Sequence, residues 1–188
     1  AAVIGHELGV PAETIARALA VAVSPPGRLE RVDSTSSTVF VDFAHTEDAL
    51  EQMLWSVRHV LPDGGKLHVV FGCGGDRDRS KRPRMGQVAS TVGDIAYATS
   101  DNPRSEDPEA ILDEVLSGVP KDRRSMTHRI VDRKDAIHAA IAAAADCDVV
   151  VIAGKGHEKN QILRDEVIPF DDVMVAAHAI RTLGKSDT

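Results

Sequence analysis

The sequence predicts an α/β domain with a doubly wound, mostly parallel sheet and helices on both of its faces. Three observations carry this. Segments of strand character alternate with segments of helical periodicity along the 188 residues, the pattern of a parallel sheet with helical crossovers. The stretch DVVVIAG (148–154) contains five consecutive apolar residues, as expected of a strand covered on both faces. Four loops rich in charge and glycine each follow a strand end, and in such sheets the ligand crevice lies beyond the carboxyl ends of the strands.

In chain order, AAVIGHELGV reads as a helix entered mid-stride, as if cut from something longer. VPAETIARALAVA (10–22) follows as a helix, with proline at its start, an early glutamate, and Ile15, Leu19 and Ala22 at helical spacing. SPPGR is a stiff connector and the best linker candidate. TVFVDFA (38–44) and KLHVVFG (66–72) read as strands joined by a helix over 47–61, where Leu50, Met53, Leu54, Val57 and Leu61 share one face. A strand over 94–100 leads through an exposed loop to a helix over 108–117. Ser105 and Asp107 are candidate caps for that helix, Pro108 suits its first turn and Glu109 its dipole. A short strand near 127–131, a helix over 133–145, the strand at 148–154, a hairpin-like QILRDEVIPF and a helix over 171–183 complete the chain.

Composition limits the function. Lys plus Arg is 22 against 29 for Asp plus Glu, a net charge of −7, which argues against nucleic-acid binding because phosphate neutralisation needs a basic face. Aromatics are 3%, too few for base-stacking platforms. Cys73 and Cys147 are far apart with no CxxC, so neither a zinc site nor a disulfide framework is indicated, and a reduced, cytoplasmic setting is expected. No run is long enough to insert in a membrane, and the N-terminus lacks a signal-peptide pattern.

The four strand-end loops, DFAHTEDA, GCGGDRDRSKRP, SDNPRSEDP and AGKGHEKN, carry the chemistry. FGCGGDRD is not a dinucleotide fingerprint, since Arg77 stands where the last glycine is needed and no helix starts directly after it. LGKS and AGKG each imitate part of a phosphate loop, but Ala179 replaces the required earlier glycine, so no Walker A loop is present. Arg104 after the stiff Pro103 offers a planar fork for a carboxylate. With Arg77 and Glu158 on neighbouring loops it forms a candidate zwitterion clamp, in which the arginines hold a carboxylate and Glu158 an ammonium group. His45 is placed to cap the next helix or to touch a nucleotide, and no metal partner sits at ligand spacing. Solvated surface charge is the plainer alternative for each of these residues taken singly.

GRLE, VDFAHTEDAL, VFGCGGDRDRSKRPRMG, SDNPRSEDP and VIAGKGHE occur in the order found in the Mur ligases of bacterial peptidoglycan synthesis, and the chain resembles that family over nearly its whole length. Phe43 and Glu47 depart from it, standing where the family often has Tyr and Pro. The resemblance implies a Rossmann-like C-terminal domain over residues 29–188, preceded in 1–28 by the tail of a central ATPase domain and a linker. It further implies that an N-terminal UDP-binding domain and the central domain, with the phosphate loop and the Mg2+ ligands, lie outside this chain. The implied reaction is ATP-dependent amide formation on UDP-MurNAc-L-Ala-D-Glu. DNPR resembles the signature of members that add meso-diaminopimelate. On this basis Arg77, Asp101, Asn102, Pro103, Arg104, Gly154 and Glu158 are expected to bind diaminopimelate, and Arg28, Asp42 and His45 to meet ATP on domain closure. No catalytic residue is expected within the chain, and the isolated chain is expected to lack ligase activity. A folylpolyglutamate synthase domain, or a non-catalytic binding module of the same fold, is the competing reading.

Overall fold

Strand β3 (Leu67–Cys73) is buried at all seven positions and lies near the middle of a six-stranded sheet. A computed structural model, which describes residues 2–22, 24–34 and 36–184, places β1 (Glu30–Val32), β2 (Thr38–Asp42), β6 (Val149–Ala153), β3, β4 (Ile95–Ser100) and β5 (Thr127–Arg129) side by side in that order. All neighbouring pairs are parallel except β1 with β2. Helices α3 (Glu47–Arg58), α4 (Lys81–Val92) and α5 (Pro108–Ser117) cover one face, and α6 (Arg133–Ala143) and α7 (Asp172–Thr182) cover the other. The two-fold alternation of a strand divides its residues between two cores. From β6, Val149, Val151 and Ala153 meet α3–α5, while Val150 and Ile152 meet α6 and α7. The expected doubly wound α/β architecture is therefore observed, together with a small antiparallel hairpin of β7 (Asn160–Ile162) and β8 (Val167–Pro169).

Three elements escaped the sequence reading, one of them a 3-10 helix over Lys121–Met126. The residues after GCGGDRDR form helix α4, which begins at Lys81 inside the segment read as loop. Its inward face is Arg82, Met85, Gly86, Ala89, Ser90 and Val92, where the arginine, glycine and serine interrupt the apolar stripe of Met85, Ala89 and Val92. Strand β1 is only three residues long, too short for alternation to register. At the N-terminus the two expected helices are α1 (Ala2–Glu7) and α2 (Ala12–Ala20), with Gly9 at φ 74° and Pro11 between them. Lys185 and Ser186 of LGKS lie outside the described residues.

The caps fix where the site loops end. Thr46, not His45, caps α3 by accepting from Ala49 N. Asp107 caps α5, whereas Ser105 turns away and bonds Asp76. The SPPGR segment is pinned rather than free. A methyl on Gly27 would fall 2.2 Å from His157 N, and Leu29 N donates to Asp42 at 2.8 Å.

Candidate active site

The loops following β2, β3, β4 and β6 meet at the carboxyl edge of the sheet around a cavity of about 460 Å³. Arg77, Asp101, Asn102, Arg104, Gly154, Glu158 and His45 all line it, together with Phe43, Lys81 and Asp78 among others. Gly72, Gly74 and Gly75 let the β3 and β4 loops touch. A methyl on Gly75 would lie 1.9 Å from the Pro103 carbonyl oxygen, and one on Gly74 2.9 Å from the Arg104 guanidinium.

Arg104 adopts φ 51°, a left-handed conformation that a side chain disfavours. Hydrogen bonds hold it there. Its N–H donates to Ile162 O at 3.0 Å, and Nη1 donates to Gly75 O at 2.8 Å and Asn102 O at 3.3 Å. Nε and Nη2 of Arg104 have no protein acceptor among the described residues, and neither does the Arg77 guanidinium. Beneath them Arg82 is fully buried, with both terminal nitrogens bonded and Nε without a partner among the described residues. It bonds both oxygens of Glu106 at 2.8 and 2.9 Å, Glu114 at 2.9 Å and Gly74 O at 3.2 Å. Glu106 also receives Asp76 N, and the Arg82 hydrogen bond holds its carboxyl down at about 2. This network fastens the β3 loop to the β4 loop and fixes the spacing of the two free guanidinium groups.

The acidic side is equally built. Glu158 Oε2 accepts from Asn102 Nδ2 at 3.0 Å and from Lys155 Nζ at 3.2 Å, leaving Oε1 without a protein donor among the described residues. Burial pushes the Glu158 carboxyl up, but the Asn102 bond and the Lys155 charge outweigh it and leave the group below its ordinary value. Asp101 lies against Gly154, whose φ of 121° belongs to glycine. Gly154 N is taken by Asp42 O, so Gly154 lines the cavity through its bare Cα and its carbonyl.

The remaining candidates sit differently. Pro103 is off the cavity wall and borders a neighbouring groove, while its carbonyl packs on Gly75. Asp42 is buried and lies off the wall; its oxygens accept from Leu29 N and Ala44 N at 2.8 Å each. It braces the loops. Arg28 lies 5.0 Å over the Phe43 ring, which also contacts His45 and His157, forming a flat rim beside the cavity. Among the described residues no three His, Cys, Asp or Glu side chains converge as metal ligands.

The model of the family described as "Mur ligase, glutamate ligase domain" matches residues 27–156. The chain belongs to the Mur ligase family. Its relatives include proteins named UDP-N-acetylmuramoyl-L-alanyl-D-glutamate–2,6-diaminopimelate ligase. The one from Syntrophomonas wolfei is 49% identical over 92% of this chain and 35% of its own length, and the one from Geobacillus kaustophilus is 50% identical over 94% and 36%. A solved structure of a ligase of that name superposes with TM-score 0.80 at 37% identity, over 97% of this chain and 37% of that one. A folylpolyglutamate synthase from Thermotoga maritima shares the fold at TM-score 0.56 and 18% identity. This Mur ligase chain thus spans about a third of the length of the curated relatives it matches.

The sequence reading missed Lys81, which lines the cavity and donates to His45 O at 2.7 Å, and Lys155 behind the cavity wall. Lys155 is fully buried and bonds Asn102 Oδ1 at 3.0 Å as well as Glu158. AGKG drew attention only as an imitation of a phosphate loop. The usable signal was a lysine between two glycines at the end of the most apolar strand.

Proposed function

We propose that the cavity binds the zwitterionic end of meso-diaminopimelate, and that the chain is the amino-acid-binding C-terminal domain, over residues 29–188, of an ATP-dependent ligase acting on UDP-MurNAc-L-Ala-D-Glu. One observation carries the reading: two arginines with unpaired guanidinium edges, Arg77 and Arg104, share a cavity with Glu158, whose Oε1 is also unpaired. A carboxylate fits the first pair and an ammonium group the second. Lysine lacks the far carboxylate and would leave the guanidinium donors of Arg77 and Arg104 unmatched, which favours diaminopimelate. Asp101, Asn102 and Gly154 shape the acidic wall, and Pro103 sets the approach of Arg104.

The rim of Arg28, Phe43 and His45, braced by Asp42, suits a nucleotide on closure of the full-length protein in the cytoplasm. With no metal-ligand cluster in the described residues, Mg2+ would travel with the ATP phosphates and be held by the central domain. Positioning the amine against an activated carboxylate is then this domain's share of catalysis. Calorimetric titration of the protein with meso-diaminopimelate and with lysine tests the reading. Saturable heat with diaminopimelate and none with lysine is expected; equal affinity for the two would sink it.

A further inference from the structure

We propose that Lys155 is a positioning residue for this site: its buried ammonium group ties Glu158 to Asn102 and sets the acidic wall that receives the ligand's ammonium group. The inference rests on the diaminopimelate reading above and deepens it. Lys155 is wholly inaccessible, and its three neighbours are all on the cavity wall: Asn102 Oδ1 at 3.0 Å, Glu158 Oε2 at 3.2 Å and Asp101 Oδ1 at 3.7 Å. A lysine has three donors and no acceptor, so it can serve all three oxygens at once.

The charges around it close in one way. Arg133 from α6 is fully buried and paired with Asp172 from α7 at 2.8 Å, so these two cancel. The Arg104 guanidinium lies across the cavity from Glu158 and answers the ligand's carboxylate. That leaves Lys155 against Asp101 and Glu158, a net single negative charge that one ligand ammonium neutralises. Without Lys155 two carboxylates would share the wall with no cation between them, and Glu158, which the Lys155 charge now holds down, would take up a proton more readily. The wall would then lose an ionic acceptor, and Oε2 of Glu158 would keep only its bond from Asn102 Nδ2. Asn102 Oδ1, which also accepts from Ile162 N at 2.9 Å, would keep the loop closed by itself.

The test is kinetic, in the full-length protein. Lys155→Met is expected to raise KM for diaminopimelate by about 30-fold near neutral pH, the scale of a lost charge-assisted bond, with KM for ATP changed less than about twofold. The penalty should shrink as pH rises, because base restores the second carboxylate. In a Glu158→Gln background the same change should add little, since Lys155 acts through Glu158. An unchanged KM, a pH-independent rise shared by all substrates, or effects that simply add would overturn the proposal. If Lys155→Met does not fold, the wild type decides. A protected Lys155 ammonium signal in ¹⁵N NMR that shifts on adding diaminopimelate supports the role, and an exchanging, unresponsive one rejects it. If wild-type protein binds no diaminopimelate, the substrate reading fails alone. The proposal is then judged by the Glu158 carboxyl in ¹³C NMR, which should titrate higher in Lys155→Met than in wild type; an unmoved titration rejects it.

Discussion

Strands β3 and β6 carry polar side chains at both of their ends, and the two ends treat them in opposite ways. At the amino end His68 and Asp148 close on each other. His68 Nε2 meets Asp148 Oδ2 at 3.1 Å, His68 Nδ1 meets the Tyr97 hydroxyl at 3.3 Å, and Asp148 also accepts from Lys66 N and Ala145 N. At the carboxyl end the polar groups are held just as firmly but left incomplete, with free edges on Arg77, Arg104 and Glu158. Groups closed on one another make a joint, and groups that keep a free edge towards the cavity make a site. The same contrast separates the arginines of the carboxyl end. Arg82 and Arg133 are sunk among carboxylates and hold the loops, whereas Arg77 and Arg104 face the cavity.

The sharpest way to break this division is to damage a joint beneath the site. Asp172→Ala strands the Arg133 guanidinium, which is buried beside Ala153 O at 3.0 Å, and should cost about 3–5 kcal/mol of stability in urea denaturation. Replacing both partners with apolar residues of similar volume should return most of that loss. A double variant as unstable as the single one would mean that the pair does more than cancel charge.

Arg104→Ala strikes the site instead. It should lower the specificity constant for diaminopimelate by about 2–4 kcal/mol, the range for a desolvated charge pair. Its stability should move far less, because Arg82 still joins the β3 and β4 loops. Steady-state kinetics beside a thermal melt separates the two quantities. A melt that falls as steeply as the kinetics would place Arg104 among the joints.

The difference between joint and site also sets what the sequence could reveal. Strand β6 was legible because burial on both faces writes a continuous apolar run, β2 and β3 through alternation, and α3 because Leu50, Met53, Leu54 and Val57 recur at helical spacing. The site loops were legible through charge at strand ends, a rule of topology that needs no packing detail. Helix α4 was not, because its inner face spends positions on Arg82, Gly86 and Ser90. Gly86 is needed where a methyl would meet the Val115 carbonyl at 2.1 Å, and Arg82 where Glu106 and Glu114 converge. Both partners are distant in sequence, so no local pattern announces them. Lys155 was hidden for the same reason: its meaning lies in Asn102, 53 residues away.

The smallest expected effect concerns the closed end. Burial drives the His68 imidazole below its ordinary value, although Asp148 pulls it up. The folded chain therefore keeps His68 neutral, whereas the unfolded chain takes up a proton near pH 6.5. Stability should be lost as pH falls through about 6.5, with a slope of at most about 1.4 kcal/mol per pH unit from this one group. The carboxyl of Asp148 is held below its ordinary value, and its own contribution is lost only in more acid solution. Urea denaturation at pH 7.5 and 5.5 isolates the effect. His68→Gln keeps a donor for Asp148 and should flatten the difference between the two pH values. If the variant kept the wild-type slope, the pH sensitivity would not belong to the closed end, and the division between the two ends would need redrawing.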